Sequence, residues 1–176
     1  ADDANLNSPD LLYPRSWFRI STLSPIPAIV DPVIIDGYSQ PGASMTTGEV
    51  DDPIDAILKI EIYGDAAGSS ILGLWFDAGS DGSTLQGLAI KQFRGSDPAP
   101  SHGLFLSSNN NKIEGNFIGP GVDGISGSLN THGIGIAGSG NVIGGLTPES
   151  RNLVSGNNRR GISIYTGASG NFIRRN

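Results

Sequence analysis

The sequence predicts an all-β fold: a single-stranded parallel β-helix with about 30 residues and three short strands in each coil. Three observations carry this. Short apolar segments recur at a near-constant interval in three separate rows. Each segment alternates with a period of two, as strands do. And Gly (26 residues) and Pro (11 residues) break the windows in which a helix would have to form.

The first row is "LGLWF" (72–76), "HGLFL" (102–106), "HGIGI" (132–136) and "RGISI" (160–164), at steps of 30, 30 and 28. Within "GLFL", Leu104 and Leu106 fall on one face and Phe105 on the other. The second row is "STL" (83–85), "NKI" (111–113), "NVI" (141–143) and "NFI" (171–173), at steps of 28, 30 and 30. The third is "GLAI" (87–90), "GNFI" (115–118) and, after an insertion, "RNLV" (151–154). A leucine-rich repeat would need one helix per repeat, and no segment here supplies it. Stacked coils lie about 4.8 Å apart, the spacing of paired strands. Equivalent residues then form interior columns: Leu85, Ile113, Ile143 and Ile173; Leu74, Leu104, Ile134 and Ile162; Phe76, Leu106, Ile136 and Ile164.

Two positions before the first of these columns stand Ser83, Asn111, Asn141 and Asn171. Parity turns them inward at a corner. A buried amide without partners costs about 1–3 kcal/mol. A stacked column satisfies itself, each amide donating to and accepting from its neighbours. Asn111, Asn141 and Asn171 are therefore expected to form a structural ladder.

The organisation reads as a flexible lead-in (1–15), an irregular N-terminal coil or cap with an acidic loop (16–56), and regular coils from 57 to 176, about five in all and the last incomplete. In "ILKIEIYG", Leu58, Ile60 and Ile62 are expected to oppose Lys59 and Glu61. Loops 94–101 and 119–131 leave the same row on adjacent coils and are expected to share one side.

Net charge is −6, which argues against a general nucleic-acid binder. No run reaches the roughly 20 apolar residues of a membrane span. With no cysteine there is neither a disulfide framework nor a thiolate metal site. Beyond Glu149 the chain has no acid and five arginines (151, 159, 160, 174 and 175), read as solvated loop residues or as a contact for an anionic polymer.

Chemistry is sparse. Asp97 and Asp123, in loops leaving adjacent coils, are the best catalytic pair, since glycoside hydrolysis needs two carboxylates within reach of one bond. Glu49, Asp51, Asp52 and Asp55 are the candidate calcium ligands, though they lack the spacing of a known calcium loop. No other cofactor is expected. His102 and His132, one repeat apart, should stack at a corner and bond to the backbone; the register offers them no third metal ligand. Trp75 and Phe105 are outward neighbours on successive coils and form a candidate carbohydrate-binding platform.

The stretch "LSPIPAIVDPVIIDGYSQPG" (23–42), followed by "NKIEGNFIG" and "NVIGGLTPESRNLVSGN", resembles a class of large bacterial, often cyanobacterial, secreted or surface proteins. Their repeats form right-handed parallel β-helices of the pectin-lyase-like superfamily. The resemblance implies right-handed winding and an extracellular or cell-surface setting, and it implies no activity. The leading expectation is a non-catalytic structural or adhesive module that contacts a polysaccharide or another cell-surface ligand. The alternatives are a polysaccharide-active enzyme, lyase or glycosidase, and a unit that stacks end to end through its open C-terminal coil.

Overall fold

The computed structural model describes residues 17–49, 51–95, 101–126 and 129–176. The lead-in 1–15 lies outside these residues. Short strands follow one another at each change of direction. The first coil supplies β1 (Phe18–Ser21) and β2 (Ile34–Asp36). The second has β3 (Ile60–Tyr63), β4 (Leu74–Phe76) and β5 (Thr84–Gln86). The third has β6 (Leu88–Lys91), β7 (His102–Leu106) and β8 (Lys112–Glu114). The fourth has β9 (Phe117–Ile118), β10 (His132–Ile136) and β11 (Val142–Gly144). The fifth has β12 (Leu153–Val154), β13 (Arg160–Ile164) and β14 (Phe172–Arg174). Among the described residues the only helical pieces are two 3₁₀ turns, Gly37–Ser39 and Pro148–Ser150, and no helix is long and apolar enough to cross a membrane.

These strands build three sheets, in the orders β1-β3-β6-β9-β12, β4-β7-β10-β13 and β2-β5-β8-β11-β14. Every strand pair is parallel. The molecule is a β-solenoid. The second sheet has one strand fewer because the first coil touches it through a single bridge, Ile29 to Phe76. Pro25, Pro27 and Pro32 around that bridge lack the N–H groups a ladder strand needs.

The predicted register holds. Leu85, Ile113, Ile143 and Ile173 are successive partners, as are Leu74, Leu104, Ile134 and Ile162. The third row aligns Ala89, Phe117 and Leu153 on one face and Ile90, Ile118 and Val154 on the other. The inward columns form the main core, in which Leu85, Leu104, Ile113, Ile134 and Ile143 are fully buried.

The asparagine ladder is present, with a refinement. Asn111 Oδ1 accepts the Ser83 N–H (3.0 Å), Asn141 Oδ1 accepts the Asn111 N–H (2.9 Å), and Asn171 Oδ1 accepts the Asn141 N–H (2.8 Å). The amide–amide link is one bond, Asn111 Nδ2 to Asn141 Oδ1 at 2.8 Å. Each side chain thus serves mainly the backbone of the preceding coil. Two further ladders stand at the other corners. Asn116 Oδ1 accepts from Leu88 N–H, Asn152 Oδ1 from Asn116 N–H, and Asn176 Oδ1 from Asn152 Nδ2. Asn130 Oδ1 accepts from Phe93 N–H, and Asn157 Oδ1 from Asn130 Nδ2.

The N-terminal segment forms an irregular first coil. β1 and β2 extend the sheets as ordinary members, and Phe18 and Ile20 of the inward face stay 39% and 52% exposed. The acidic loop folds back instead: Ile54 and Ala56 pack with Tyr38 and Val122 over Leu58, Ala89 and Phe117, making a second core on the outer face of the first sheet. Leu58 belongs to this outer core and does not share the inward face of Ile60 and Ile62, because alternation begins only where β3 does. Glu61 and Lys91 point outward, yet are only 1% and 4% exposed beneath the returning loops. Arg19 Nε donates to Glu61 Oε1 at 2.5 Å, and Lys91 Nζ donates to the Ser126 carbonyl at 3.3 Å.

Candidate functional site

The third sheet keeps an open outer face. On β8, Lys112 and Glu114 flank the buried Ile113; on β11, Val142 and Gly144 flank Ile143; on β14, Phe172 and Arg174 flank Ile173. Strand alternation therefore sets two outward columns side by side, Lys112–Val142–Phe172 and Glu114–Gly144–Arg174. The insertion between β11 and β12 walls this face with Gly145, Leu146, Thr147 and Ser150, and the groove so enclosed measures about 450 Å³. That is within the size range of small-molecule and sugar-sized pockets.

The wall is held by its own turn, in which Ser150 Oγ donates to the Thr147 carbonyl at 2.7 Å. The floor is bare by necessity. Gly144 has φ +79°, and a Cβ there would sit 1.9 Å from the Arg174 carbonyl oxygen. Lys112 Nζ lies 2.7 Å from Glu114 Oε1. Across the glycine, the Arg174 guanidinium lies 5.2 Å from the centre of the Phe172 ring, which is 51% exposed. Glu114 and Arg174 stand two rungs apart, roughly 10 Å. The groove thus offers an apolar floor and ring, one paired carboxylate, two cations and two hydroxyl side chains. Behind it, Tyr38 donates its hydroxyl to the Gly115 carbonyl at 2.7 Å. Burial, then the Asp36 and Glu114 carboxylates, push that phenol above its usual range.

The residues singled out in the sequence are placed as follows. Trp75 and Phe105 are register partners. Both are half-buried. Trp75 Nε1 donates to Ser107 Oγ at 2.9 Å, and the Phe105 ring leans over Gly135, where a Cβ would come within 2.5 Å of it. Asp97 lies outside the described residues. Asp123 is exposed and caps its own turn, its Oδ1 accepting from Ile125 N–H, Ser126 N–H and Ser126 Oγ. Partial burial raises its pKa, but these bonds and the Lys91 charge outweigh that and hold it below the usual value.

The four acidic-loop residues are not gathered. Asp55 is bound by Thr46 and Thr47 through both carboxylate oxygens, chiefly by Thr46 Oγ1, and these bonds hold it well below the usual carboxylate range. Asp52 Oδ2 accepts the Glu49 N–H. Arg151 Nη1 clasps the loop through the carbonyls of Glu49 (2.9 Å) and Asp52 (3.0 Å). Asp51 is exposed. Among the described residues no group of three or more His, Cys, Asp or Glu is arranged to hold a metal ion.

His102 and His132 do stack, with ring centres 4.8 Å apart and planes 23° from parallel. The expected backbone bonds are not there: both Nδ1 atoms are buried without a partner, and His102 Nε2 meets the Tyr165 hydroxyl at 3.2 Å. The strand parity breaks at Gly103, so His102 lies outside with Phe105, under the rings of Phe105 and Tyr165. Burial, then the His132 and Arg160 charges, push His102 down to about 4; burial and Arg160 lower His132 as well.

Sequence reasoning missed the groove. Lys112, Val142 and Phe172 recur at the interval of the repeat and were available as a column; the wall, lying in an insertion, was not. Comparison with family models, with curated proteins and with solved structures finds no match to this chain.

Proposed function

We propose that the chain is a structural and adhesive module, part of the β-helical shaft of a secreted or surface-borne bacterial protein, and that it contacts glycans through the groove of the third sheet. The observation that supports the shaft is the use made of the polar side chains: asparagine ladders stand at all three corners and bind the second to fifth coils to one another. A stack held in this way is stiff along its axis and presents its outer faces at fixed spacing. Phe172 supplies a ring for the apolar face of a sugar, while Arg174, Glu114, Thr147 and Ser150 supply hydrogen-bonding groups beside it.

The polysaccharide-active enzyme is the second reading. It is favoured by Glu114, the one carboxylate that shares this groove with Lys112 and Arg174. End-to-end stacking is the third, favoured by Ile164 and Ile173, which belong to inward columns yet are exposed. A glycan-array screen joined to a lyase and glycosidase screen, with and without calcium, separates the first two. Binding without turnover, reduced at least about tenfold by Phe172→Ala and by Arg174→Gln, is the expected result. Turnover of any polysaccharide, abolished by Glu114→Gln, moves the protein to the enzyme class. No binding to any glycan removes the contact from the proposal. Light scattering that does not change with concentration removes stacking.

A further inference from the structure

A second concave site lies at the corner between the first and second sheets, a notch of about 270 Å³. Three successive coils line it: Arg94 and Gly95 from the third, Leu129, Asn130 and Thr131 from the fourth, and Asn158 from the fifth. The floor is fixed. Asn130 and Thr131 are buried. Thr131 Oγ1 accepts the Gly95 N–H at 2.9 Å and donates to the Gly95 carbonyl at 3.2 Å, and Asn130 Oδ1 accepts the Phe93 N–H at 3.0 Å. The Asn158 and Arg159 N–H groups donate to the Asn130 and Thr131 carbonyls, each at 2.9 Å. The walls differ from the floor. Arg94 and Asn158 are exposed, and among the described residues no hydrogen bond or ion pair engages the Arg94 guanidinium or the Asn158 side-chain amide. We infer that this corner is a binding site for a sulfate or phosphate monoester carried on a larger molecule, with Arg94 as its charged anchor and Asn158 as its neutral donor.

Three features support it. The first is charge. Arg159 and Arg160 follow Asn158 directly and are exposed, and beyond Glu149 the chain has no acidic side chain. The fifth coil therefore brings only positive charge to this corner, although the chain as a whole carries −6. The second is geometry. The guanidinium is a planar fork that takes two oxygens of an anion at once. Arg94 and Asn158 flank the floor from the coils on either side of it, so the ligand is approached from two directions. A tetrahedral ester presents three oxygens, two for the fork and one for the opposite wall, whereas a planar carboxylate presents two. The third is size. The notch falls just under the usual range of small-molecule pockets, about 300–1,000 Å³, so it takes a charged group with part of its carrier.

Leu129, 37% exposed, supplies an apolar edge against which carbon atoms of that carrier pack, and a bare ion gains nothing from it. Gly95 keeps the entrance open by necessity, since a Cβ there would lie 2.7 Å from Ser70 Cα and 2.8 Å from Ser101 Cβ. The notch stands at a different corner from the groove of the third sheet and shares no lining residue with it, so its test is independent of binding in the groove.

The experiment is titration of the ¹⁵N-labelled chain at low salt with glucose 6-sulfate, glucose 6-phosphate, glucuronate, glucose, sodium sulfate and sodium phosphate, followed by calorimetry and by amide shifts. The expected result is one equivalent of either ester, with shifts at Gly95, Thr131, Asn158 and Arg159. Both esters bind at least about fivefold more tightly than glucuronate or the free ions, and added salt weakens them. Arg94→Gln, which removes no contact of the folded chain, weakens ester binding by about tenfold or more, and Asn158→Ala by about threefold to tenfold. Arg175→Gln deletes the same charge at an exposed position after β14 and leaves the affinity within about twofold, as does Phe172→Ala in the groove. Absence of ester binding, an equal loss in Arg175→Gln, a loss in Phe172→Ala, or free ions and glucuronate bound as tightly as the esters overturns the assignment.

Discussion

Asn141→Ala removes the acceptor that joins two coils at a fully buried position. Asn141 Oδ1 takes the Asn111 N–H at 2.9 Å and Asn111 Nδ2 at 2.8 Å, and Asn141 Nδ2 donates to the Ser108 carbonyl at 3.2 Å. After truncation the Asn111 side chain keeps two partners, Ser108 Oγ at 2.9 Å and the Ser83 N–H at 3.0 Å, but the Asn111 backbone N–H, buried, keeps none. An orphaned buried donor costs about 1–3 kcal/mol and the lost amide link about 0.5–1.5 kcal/mol more, so the variant is expected to lose about 2–4 kcal/mol. Asn171→Ala removes two bonds from a half-buried side chain, the Asn141 N–H to its Oδ1 and its Nδ2 to the Gly138 carbonyl, and is expected to lose about 1–2 kcal/mol. Ser139→Ala removes the partner of the exposed Ser169 N–H and hydroxyl and is expected to cost under about 0.5 kcal/mol. Urea unfolding followed by far-ultraviolet circular dichroism reads all three as midpoint shifts at constant slope. If Asn141→Ala unfolds with the wild-type midpoint, or shifts it no further than Ser139→Ala does, the corner ladder does not hold the coils together.

Other expectations follow from particular contacts. Gly138→Ala would set a Cβ 1.8 Å from the Ser108 carbonyl oxygen and is expected to cost about 3 kcal/mol, whereas Gly161→Ala, with its nearest atom at 3.6 Å, should be neutral to within about 0.5 kcal/mol; thermal melts compare them. Arg151→Ala releases the clasp on residues 49 and 52, so limited proteolysis should cut that loop several-fold faster while the melting temperature barely changes. Acid should weaken the fold through His102. Its folded pKa of about 4 lies below the ordinary 6.5, so its contribution is complete above pH 6.5 and is lost as pH falls toward 4. The loss is roughly 2–3 kcal/mol after allowance for screening at the sheet surface, and His102→Gln should flatten the stability profile in that window.

The columns were legible because successive coils repeat with little change of length, so that Leu85, Ile113, Ile143 and Ile173 announce themselves by spacing. The ladder through Asn116 and Asn152 was not, because an insertion lengthens that step to 36 residues and hides the match. The stack of His102 on His132 was legible from its spacing, but Tyr165 reaches it from beyond the end of β13, and no periodicity foretells that contact. Likewise, alternation turned Lys59 and Glu61 to the face opposite Ile60 and Ile62 but could not foretell their burial, because it reports direction and says nothing of loops that fold back over a sheet. The groove was half legible: its floor follows the repeat, and its wall departs from it.

Pairs of cysteines on the outer face of the third sheet, placed in a chain that has none of its own, test most directly whether equivalent residues of successive coils lie side by side. Thr84 and Lys112 are register partners, as are Lys112 and Val142. Neighbouring parallel strands put such Cα atoms about 4.8 Å apart, inside the disulfide range of about 4.4–6.8 Å, whereas Thr84 and Glu114, two residues out of register, stand roughly 8 Å apart. Under mild oxidation Thr84→Cys/Lys112→Cys and Lys112→Cys/Val142→Cys should each close a disulfide in the folded chain, and Thr84→Cys/Glu114→Cys should stay reduced. Ready closure of the out-of-register pair, with the two in-register pairs left open, would contradict the stacked coils.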